Sequence, residues 1–394
     1  MTIAKPIWIP EFQSNWDLIP LKRLCTIETG TADTQDADPD GSYDFVIRSP
    51  RLKQASTYTF DCEAIVTAGD GAVGEVFHYM NGPFLAHQRT YVLHSFQGID
   101  ARYLFYFFSS HFRFMCQDGS AKTTVDSVRR WMLTDMPILV PPENFQKRIA
   151  HFLDNETAKI DHLIAKQREL ITLTESRLKL WRERAFWGEV QTEDPFLNPP
   201  TGWKVLRNRH LLEHVDARSE TGDEEMLSVS HITGVTPRSM KNVNMFEAES
   251  TVGYKLVANN ELVINTMWAW MGALGVSAYE GIVSPAYNVY RFRDLDAVNP
   301  MYFDCMYRTD AYVSLMKAHS RGIWESRLRL YPEVFLRLSS LVPPKDVQDR
   351  LVAENNERTT EAEKLITRCH KAIQLLQERR SALITAAVTG QIEV

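Results

Sequence analysis

The longest regular pattern in the chain is a pair of amphipathic stretches. Residues 143–187 and 345–388 contain no glycine or proline, and their apolar side chains recur at spacings built from threes and fours, which predicts two long helices. The apolar faces are predicted to hold Ile149, Leu153, Ile160, Leu163, Leu170 and Trp181 in the first stretch, and Leu351, Ala362, Leu365, Cys369, Ala372, Leu376 and Leu383 in the second. Long helices of this kind rarely stand alone. Their narrow apolar faces therefore predict that the two helices pack against each other as a coiled coil.

These two helices belong to an internal repeat. The sequence LVPP at 139–142 returns at 341–344, and the alignment continues without a gap to Gly188 and Gly390, always at the offset of 202 that separates 139 from 341. The Pro-Pro pair is expected to end a strand and set the entry to each helix, and each glycine stands where a C-terminal cap is expected.

A region rich in predicted β-strands precedes each long helix. Short apolar runs with glycine turns lead to an apolar helix at 101–115 in the first region and at 300–317 in the second, so both are predicted to be α+β. A tryptophan, Trp16 or Trp203, opens each region, which extends the pseudo-two-fold repeat to the whole chain. The predicted order is a globular domain at 1–140, a long helix at 141–190, a proline-rich linker at 191–202, a globular domain at 203–340 and a long helix at 341–394.

Composition narrows the class of protein. With 394 residues, 44% hydrophobic and 11% aromatic, the chain is long enough for two domains with cores of their own. No apolar run reaches the roughly 18 to 20 residues of a membrane helix, and the N-terminus lacks a signal-peptide core, so we expect a cytoplasmic protein with no membrane partner. The five cysteines are scattered and form no CxxC motif, which favours free thiols over a zinc or disulfide framework.

The motifs for catalysis or metal binding are weak. Residues 69–74 fit the GxGxxG pattern of a dinucleotide or S-adenosylmethionine loop, but the next residues, 75–79, have a strand pattern, so a glycine hairpin is the better interpretation. The Asn-Pro-Pro-Thr sequence at 198–201 resembles the motif with which adenine methyltransferases hold a base, but its aromatic residue is missing. The acidic run of Asp33, Asp36, Asp38 and Asp40 is more simply a solvated loop than a metal site. We therefore predict no catalytic, cofactor-binding or metal-binding residue.

Recognition of a nucleic acid is the remaining possibility. A net charge of −6 means that phosphate contacts must come from local clusters or from a basic partner. Two basic clusters occur before the Pro-Pro pairs, and arginine there could also contact guanine edges. The candidates are Lys122, Arg129 and Arg130 in one copy, Lys317, Arg321, Arg327 and Arg329 in the other, and, in second rank, Thr67, Gln88, Arg89, Asn288, Trp268 and Tyr287 near the glycine hairpins. Ordinary surface charge is the alternative for each basic residue, and a core position is the alternative for Trp268 and Tyr287.

The chain resembles the specificity subunits of type I restriction-modification enzymes over nearly its full length. The resemblance rests on the C-terminal sequence RRSALITAAVTGQI at 379–392, and on Gln146 with Arg148 and Gln348 with Arg350 after the two Pro-Pro pairs. It implies two target-recognition domains joined by two long antiparallel helices. Each domain would recognise one half of a bipartite, asymmetric site in double-stranded DNA, and the helix length would set the unread spacer.

The same resemblance implies a division of labour among subunits. Two modification subunits would dock on the helices and bring S-adenosylmethionine, and motor-nuclease restriction subunits would add cleavage, so this chain would be non-catalytic and hold no cofactor. The residues predicted to take part in docking are Arg177, Arg379, Gln146 and Gln348. Two alternatives are a self-contained DNA methyltransferase or nuclease with duplicated recognition domains, and a coiled-coil scaffold that binds protein.

Overall fold

The computed structural model describes residues 5–12, 15–117, 127–187, 195–240, 250–324 and 327–394. The chain divides into two compact units, unit 1 with residues 1–168 and 370–394, and unit 2 with residues 169–369. The two covalent connections between the units therefore lie within the two long helices. The α+β class predicted from the sequence is confirmed.

Unit 1 contains a six-stranded sheet with the neighbour order β2-β7-β5-β6-β3-β4, in which β3 and β6 run parallel and the other neighbours run antiparallel. The loop between β5 and β6 needs two left-handed residues, Gly71 (φ +74°) and Gly74 (φ +73°), so the expected glycine hairpin is confirmed. The elements of unit 1 are β1 Asp17–Pro20, β2 Thr26–Thr29, β3 Tyr43–Val46, β4 Lys53–Ala55, β5 Phe60–Ala68, β6 Phe77–Ala86, β7 Thr90–His94, α1 Ala101–Gln117, α2 Arg130–Thr134, β8 Pro137–Val140, the first part of α3 Glu143–Trp187 and the last part of α8 Lys345–Val388.

Unit 2 contains a four-stranded sheet with the order β10-β17-β14-β15 and two smaller antiparallel pairs, β11 with β12 and β13 with β16. The predicted helix at 300–317 is in fact two helices, because Thr309 caps a new helix by accepting a hydrogen bond from the Tyr312 amide. The elements are β9 Lys204–Arg207, α4 Asn208–Leu211, β10 Leu212–Val215, β11 Leu227–Ser230, β12 Gly234–Pro237, β13 Lys255–Val257, β14 Leu262–Asn265, β15 Leu274–Val276, β16 Gly281–Val283, β17 Tyr287–Phe292, α5 Pro300–Tyr307, α6 Asp310–His319, α7 Pro332–Phe335, β18 Ser339–Val342 and part of α8 Lys345–Val388.

The strand that follows each opening tryptophan pairs with the strand that precedes each Pro-Pro pair. In unit 1, β1 pairs with β8, with Leu18 opposite Leu139, and in unit 2, β9 pairs with β18, with Val205 opposite Leu341. The chain therefore returns to its starting point in each unit before it enters the long helix. The two LVPP sequences therefore begin at equivalent places in the two units.

The two long helices pack against each other within both units, in antiparallel directions. The buried positions of α3 follow a heptad, with Leu153, Thr157, Ile160 and Ile164 separated by four, three and four residues. Between the helices, the Arg380 guanidinium bonds Asp161 at 3.0 Å in unit 1. In unit 2, Arg182 donates to Asn355 and Thr359, both at 2.8 Å.

Two positions of the predicted helical stripe are wrong. Leu163 and Leu170 lie outside the packed face, with 48% and 37% of their surface exposed, whereas Ile164 is 6% exposed. Leu163 and Ile164 are adjacent apolar residues, and the heptad selects the second because the preceding packed residue is Ile160, four positions earlier. The Gly390 cap is confirmed by φ +72° and by the bond from the Gln391 amide to the Ala386 carbonyl. Gly188 lies outside the described residues.

Candidate nucleic-acid interface

Three segments of unit 1 meet beside the glycine hairpin. The Gly69 amide donates to the Arg89 carbonyl at 2.8 Å, and the Val128 amide donates to the Gly69 carbonyl at 2.8 Å. Asp70 forms a further backbone bridge to Ser127. We call the region formed by residues 69–71, 87–89 and 127–129 the loop edge of unit 1. It brings the second-rank candidate Arg89 near Arg129, a member of the first basic cluster.

The side chains at this loop edge form a small charged group. The Asp70 carboxylate is 16% exposed and binds both Arg48 and Arg89, the latter at 3.1 Å. The Arg89 side chain is 59% exposed, and Arg129 is exposed at the start of α2. Because Arg89 is the more exposed partner of this pair and Asp70 also binds Arg48, the Arg89 guanidinium can bind a phosphate while Asp70 keeps a partner.

Unit 2 has a corresponding region, formed by residues 266–268, 321–324 and 327–330, which we call the loop edge of unit 2. The Leu330 amide donates to the Thr266 carbonyl at 3.2 Å, as the Val128 amide does to Gly69. Leu330 and Val128 are related by the same offset of 202 as the long helices. The Arg321 and Arg329 backbones exchange two hydrogen bonds, of 3.0 and 2.9 Å. The segment carrying the second basic cluster is therefore held next to the loop that follows the central strand β14.

An open cleft of about 780 Å³ lies at the loop edge of unit 2. Three of the predicted arginines, Arg321, Arg327 and Arg329, line it together with Trp268 and one acidic residue, Glu333. Trp268 is 50% exposed, which favours a binding surface over the core position left open as its alternative. The cleft combines guanidinium groups with an aromatic surface, which suits an anionic, aromatic ligand such as DNA.

Aromatic rings continue from this cleft. Trp268 stacks on Trp270 with ring centres 6.1 Å apart, and the Lys317 ammonium lies 5.6 Å from the Trp270 ring centre. This contact ties the predicted residue Lys317 to the same surface. The glycine at 272 (φ +82°) allows the turn that returns the chain to β15.

The remaining predicted DNA contacts are placed differently. Gln88 is exposed and donates to Asp33 at 3.2 Å, and Arg130 donates to the Ile27 carbonyl at 3.2 Å. Asn288 is buried in β17, where it accepts a hydrogen bond from Lys255 at 3.4 Å, so its side chain has no access to a ligand. Lys122 lies outside the described residues.

The repeated glutamines have a local structural role. Gln146 is buried; its side-chain oxygen accepts from the Asp100 amide at 2.6 Å, and its nitrogen donates to the Pro141 carbonyl at 2.8 Å. Gln348 makes the equivalent bond to the Asn299 amide at 2.8 Å. Each glutamine thus fastens the loop before a domain helix to the start of a long helix, and its burial leaves no surface for docking.

The repeated arginines are exposed on the long helices. Arg177 and Arg379 each follow, by one helical turn, an exposed leucine, namely Leu173 (55% exposed) and Leu375 (54% exposed). The leucines are also related by the offset of 202, although neither packs inside its own unit. The sequence prediction included the two arginines but not the two leucines, which belong to neither predicted apolar stripe.

The acidic run is used for local turns. Asp33 accepts from the Thr34 amide at 2.6 Å, and Asp36 accepts from the Asp33 amide at 2.7 Å, which forms a capping box. Among the described residues there is no cluster of three His, Cys, Asp or Glu side chains that could hold a metal ion. In the same part of the chain, no helix is both long and apolar enough to cross a membrane.

Comparison with known proteins assigns one part of the chain to a domain family. Residues 13–173 match the model of the type I restriction modification DNA specificity domain. The chain carries a type I restriction-modification specificity domain. The resemblance found in the sequence is thus confirmed.

Relatives of this specificity domain include the type I restriction enzyme EcoDI specificity subunit of Escherichia coli. The two proteins are 27% identical over 156 residues, which is 40% of this chain and 34% of that subunit, so the match spans about a third of the curated relative. A chain solved in a study of complex assembly and conformational transition of the type I R-M system aligns over 97% of this chain and 100% of its own length, at a TM-score of 0.72 and 13% identity.

The HsdS subunit from Thermoanaerobacter tengcongensis also has a fold similar to that of this chain. It aligns over 97% of this chain and 99% of its own length, with a TM-score of 0.54 and 14% identity. These two structures extend the likeness in fold from the matched specificity domain to nearly the whole chain.

Proposed function

We propose that this chain is the non-catalytic DNA-recognition subunit of a type I restriction-modification complex and recognises a bipartite, asymmetric site. The observation that carries the proposal is the repeated loop edge. In each unit a backbone bond from Val128 or Leu330 fixes a segment with exposed arginines beside the loop that follows a central strand. Two similar edges on two different sheets suit two different half-sites.

The chemistry of the loop edges supports DNA as the ligand. Exposed guanidinium groups at Arg89, Arg129 and Arg327 can neutralise phosphates, and arginine can also bind guanine through two parallel hydrogen bonds. Phosphate contacts would position the duplex, while base contacts would specify the sequence. The half-sites would differ because the side chains around the two edges differ.

The exposed Leu-Arg pairs support docking of two modification subunits. Leu173 with Arg177, and Leu375 with Arg379, offer the same chemistry twice, which suits two copies of one partner. S-adenosylmethionine and the adenine-methylating residues would belong to these partners, and restriction subunits would join the same complex for cleavage. A subunit of this kind acts on DNA in the cytoplasm.

The experiment that separates this proposal from a self-contained methyltransferase uses the purified full chain with and without modification subunits. We expect the complex, supplied with S-adenosylmethionine, to methylate DNA and to bind it specifically, and the chain alone to transfer no methyl group. Methylation or cleavage by the chain alone would overturn the proposal. Assembly of a complex that protects no specific DNA sequence would instead favour a protein-binding scaffold.

A further inference from the structure

The cleft of unit 2 borders a loop with an unusual composition. Arg321 and Arg329 close this loop through their two backbone hydrogen bonds, and the Arg327 amide donates to the Trp324 carbonyl at 2.8 Å. A Cβ atom at Gly322 would lie 2.6 Å from the Arg327 carbonyl oxygen, so only glycine fits there. The described parts of this loop, 321–324 and 327–329, are therefore held by backbone contacts.

Two apolar side chains project from the loop into solvent. Ile323 is 95% exposed and Trp324 is 68% exposed, so no described residue covers them. Holding two large apolar groups in water does not stabilise the folded chain, and such a patch at the rim of a charged cleft marks a binding surface. The patch is flanked by the exposed arginines Arg321, Arg327 and Arg329.

The flanking charges select the kind of occupant. A DNA duplex has phosphates on its outside and apolar base faces that become accessible when two adjacent pairs separate, which matches an apolar tip between guanidinium groups. Side chains such as isoleucine are known to enter base steps as wedges, and tryptophan stacks on bases of any sequence. The half-exposed ring of Trp268 in the adjoining cleft offers a second stacking surface.

We propose that Ile323 and Trp324 insert between adjacent base pairs of the half-site bound by unit 2, while Arg321, Arg327 and Arg329 hold the flanking phosphates. This inference rests on the proposed function. The insertion unstacks one base step and kinks the duplex locally. Because pyrimidine–purine steps such as TA and CA are the easiest to unstack, the half-site of unit 2 contains one at the point of insertion.

The test uses the complex of the full chain with modification subunits and a duplex that carries its methylated site. The fluorescent base 2-aminopurine replaces single adenines throughout both half-sites, except the methylated ones, and its fluorescence rises where a base is unstacked. We expect binding of the unaltered complex to raise the fluorescence at one step of one half-site. The double variant Ile323→Ser with Trp324→Ser should abolish that rise and weaken binding by roughly tenfold.

The matched control is Ile232→Ser, which removes another isoleucine of the same unit that is 74% exposed. It should change neither the fluorescence rise nor the binding affinity. Fluorescence that stays flat with the unaltered complex, or a rise that survives in the double variant, would overturn the insertion while leaving site-specific binding intact. Loss of complex assembly in the double variant would overturn it too, because the patch would then belong to a protein interface. If the unaltered complex does not prefer its site to a scrambled duplex, the proposed function itself fails.

Discussion

Tyr103 and Val388 are joined by a hydrogen bond of 3.1 Å from the tyrosine hydroxyl to the valine carbonyl, although 285 positions separate them. The same hydroxyl donates to the Leu139 carbonyl at 2.8 Å. Tyr302 makes the corresponding bonds in unit 2, to Leu341 at 3.2 Å and to Phe186 at 3.5 Å. Each tyrosine therefore links the strand before one long helix to the last turns of the other helix.

Removal of the Tyr103 hydroxyl should destabilise unit 1. Burial raises the pKa of Tyr103 well above its usual value, so the hydroxyl stays protonated and remains a donor. Tyr103→Phe leaves two buried carbonyls without this donor and should cost about 1–3 kcal/mol, seen as a lower midpoint of urea unfolding. Tyr302→Phe is the matched change and should cost less, because its bonds are longer. Equal midpoints for Tyr103→Phe and the unaltered chain would mean that the bond does not stabilise the unit.

Arginines of the loop edges should contribute to DNA affinity through phosphates. Arg327→Ala in unit 2 should weaken binding by the complex, and the slope of log affinity against log salt concentration should fall by about one unit, because one fewer counterion is released. Arg129→Ala should act in the same way in unit 1. Titrations at several salt concentrations measure both quantities.

The control for this experiment is Arg207→Ala, an exposed arginine on β9 that does not line the cleft. It should leave the affinity and the salt slope unchanged. If Arg327→Ala behaves like this control, the arginines of the cleft are ordinary surface charge.

Charge reversal on the long helices should impair assembly more than folding. Arg177→Glu combined with Arg379→Glu changes two exposed residues, so the unfolding midpoint should move little, typically within about 0.5 kcal/mol. Binding of modification subunits, measured by analytical ultracentrifugation, should be weakened. His370→Glu on another face of α8 is the control and should assemble normally. Normal assembly of the double variant would argue against the Leu-Arg surface.

The helix length should determine the spacing of the two half-sites. The chain passes between its units only within α3 and α8, and removal of 164–170 together with 366–372 deletes one aligned heptad from each without changing the register of the packed face. Each helix becomes about 10 Å shorter, equivalent to about 3 base pairs. Methylation by this variant should require a correspondingly shorter spacer; an unchanged spacer would contradict the link between helix length and site geometry.

Much of this architecture could be predicted because it depends on local pattern. Short-range sequence patterns are enough to recognise the glycines at 71 and 390, the strand before each Pro-Pro pair and the length of both helices. The exact packed face of α3 could not be predicted, since Leu163 and Ile164 are equally apolar. Thr157 is also inconspicuous in sequence, yet it is buried and lies 3.2 Å from the Tyr106 hydroxyl.

The candidate site was less predictable than the fold. The arginine cluster before the second Pro-Pro pair lines the cleft of unit 2, whereas Asn288, one residue after Tyr287 in the same strand, is buried. Alternation in a strand assigns faces only when one side is clearly polar, and β17 is mostly buried along its length. The exposed pair Ile323 and Trp324 has no sequence signature, because apolar residues are normally assigned to the core.

The most direct test of the central claim is a genome-wide map of methylated adenines in cells with and without this gene. We predict a methylated sequence of two short, different half-sites separated by an unread spacer of fixed length, which disappears when the gene is deleted. Exchange of residues 203–340 for those of a relative should then alter one half-site only. Methylation that is unchanged by the deletion, or a single uninterrupted site, would contradict the account.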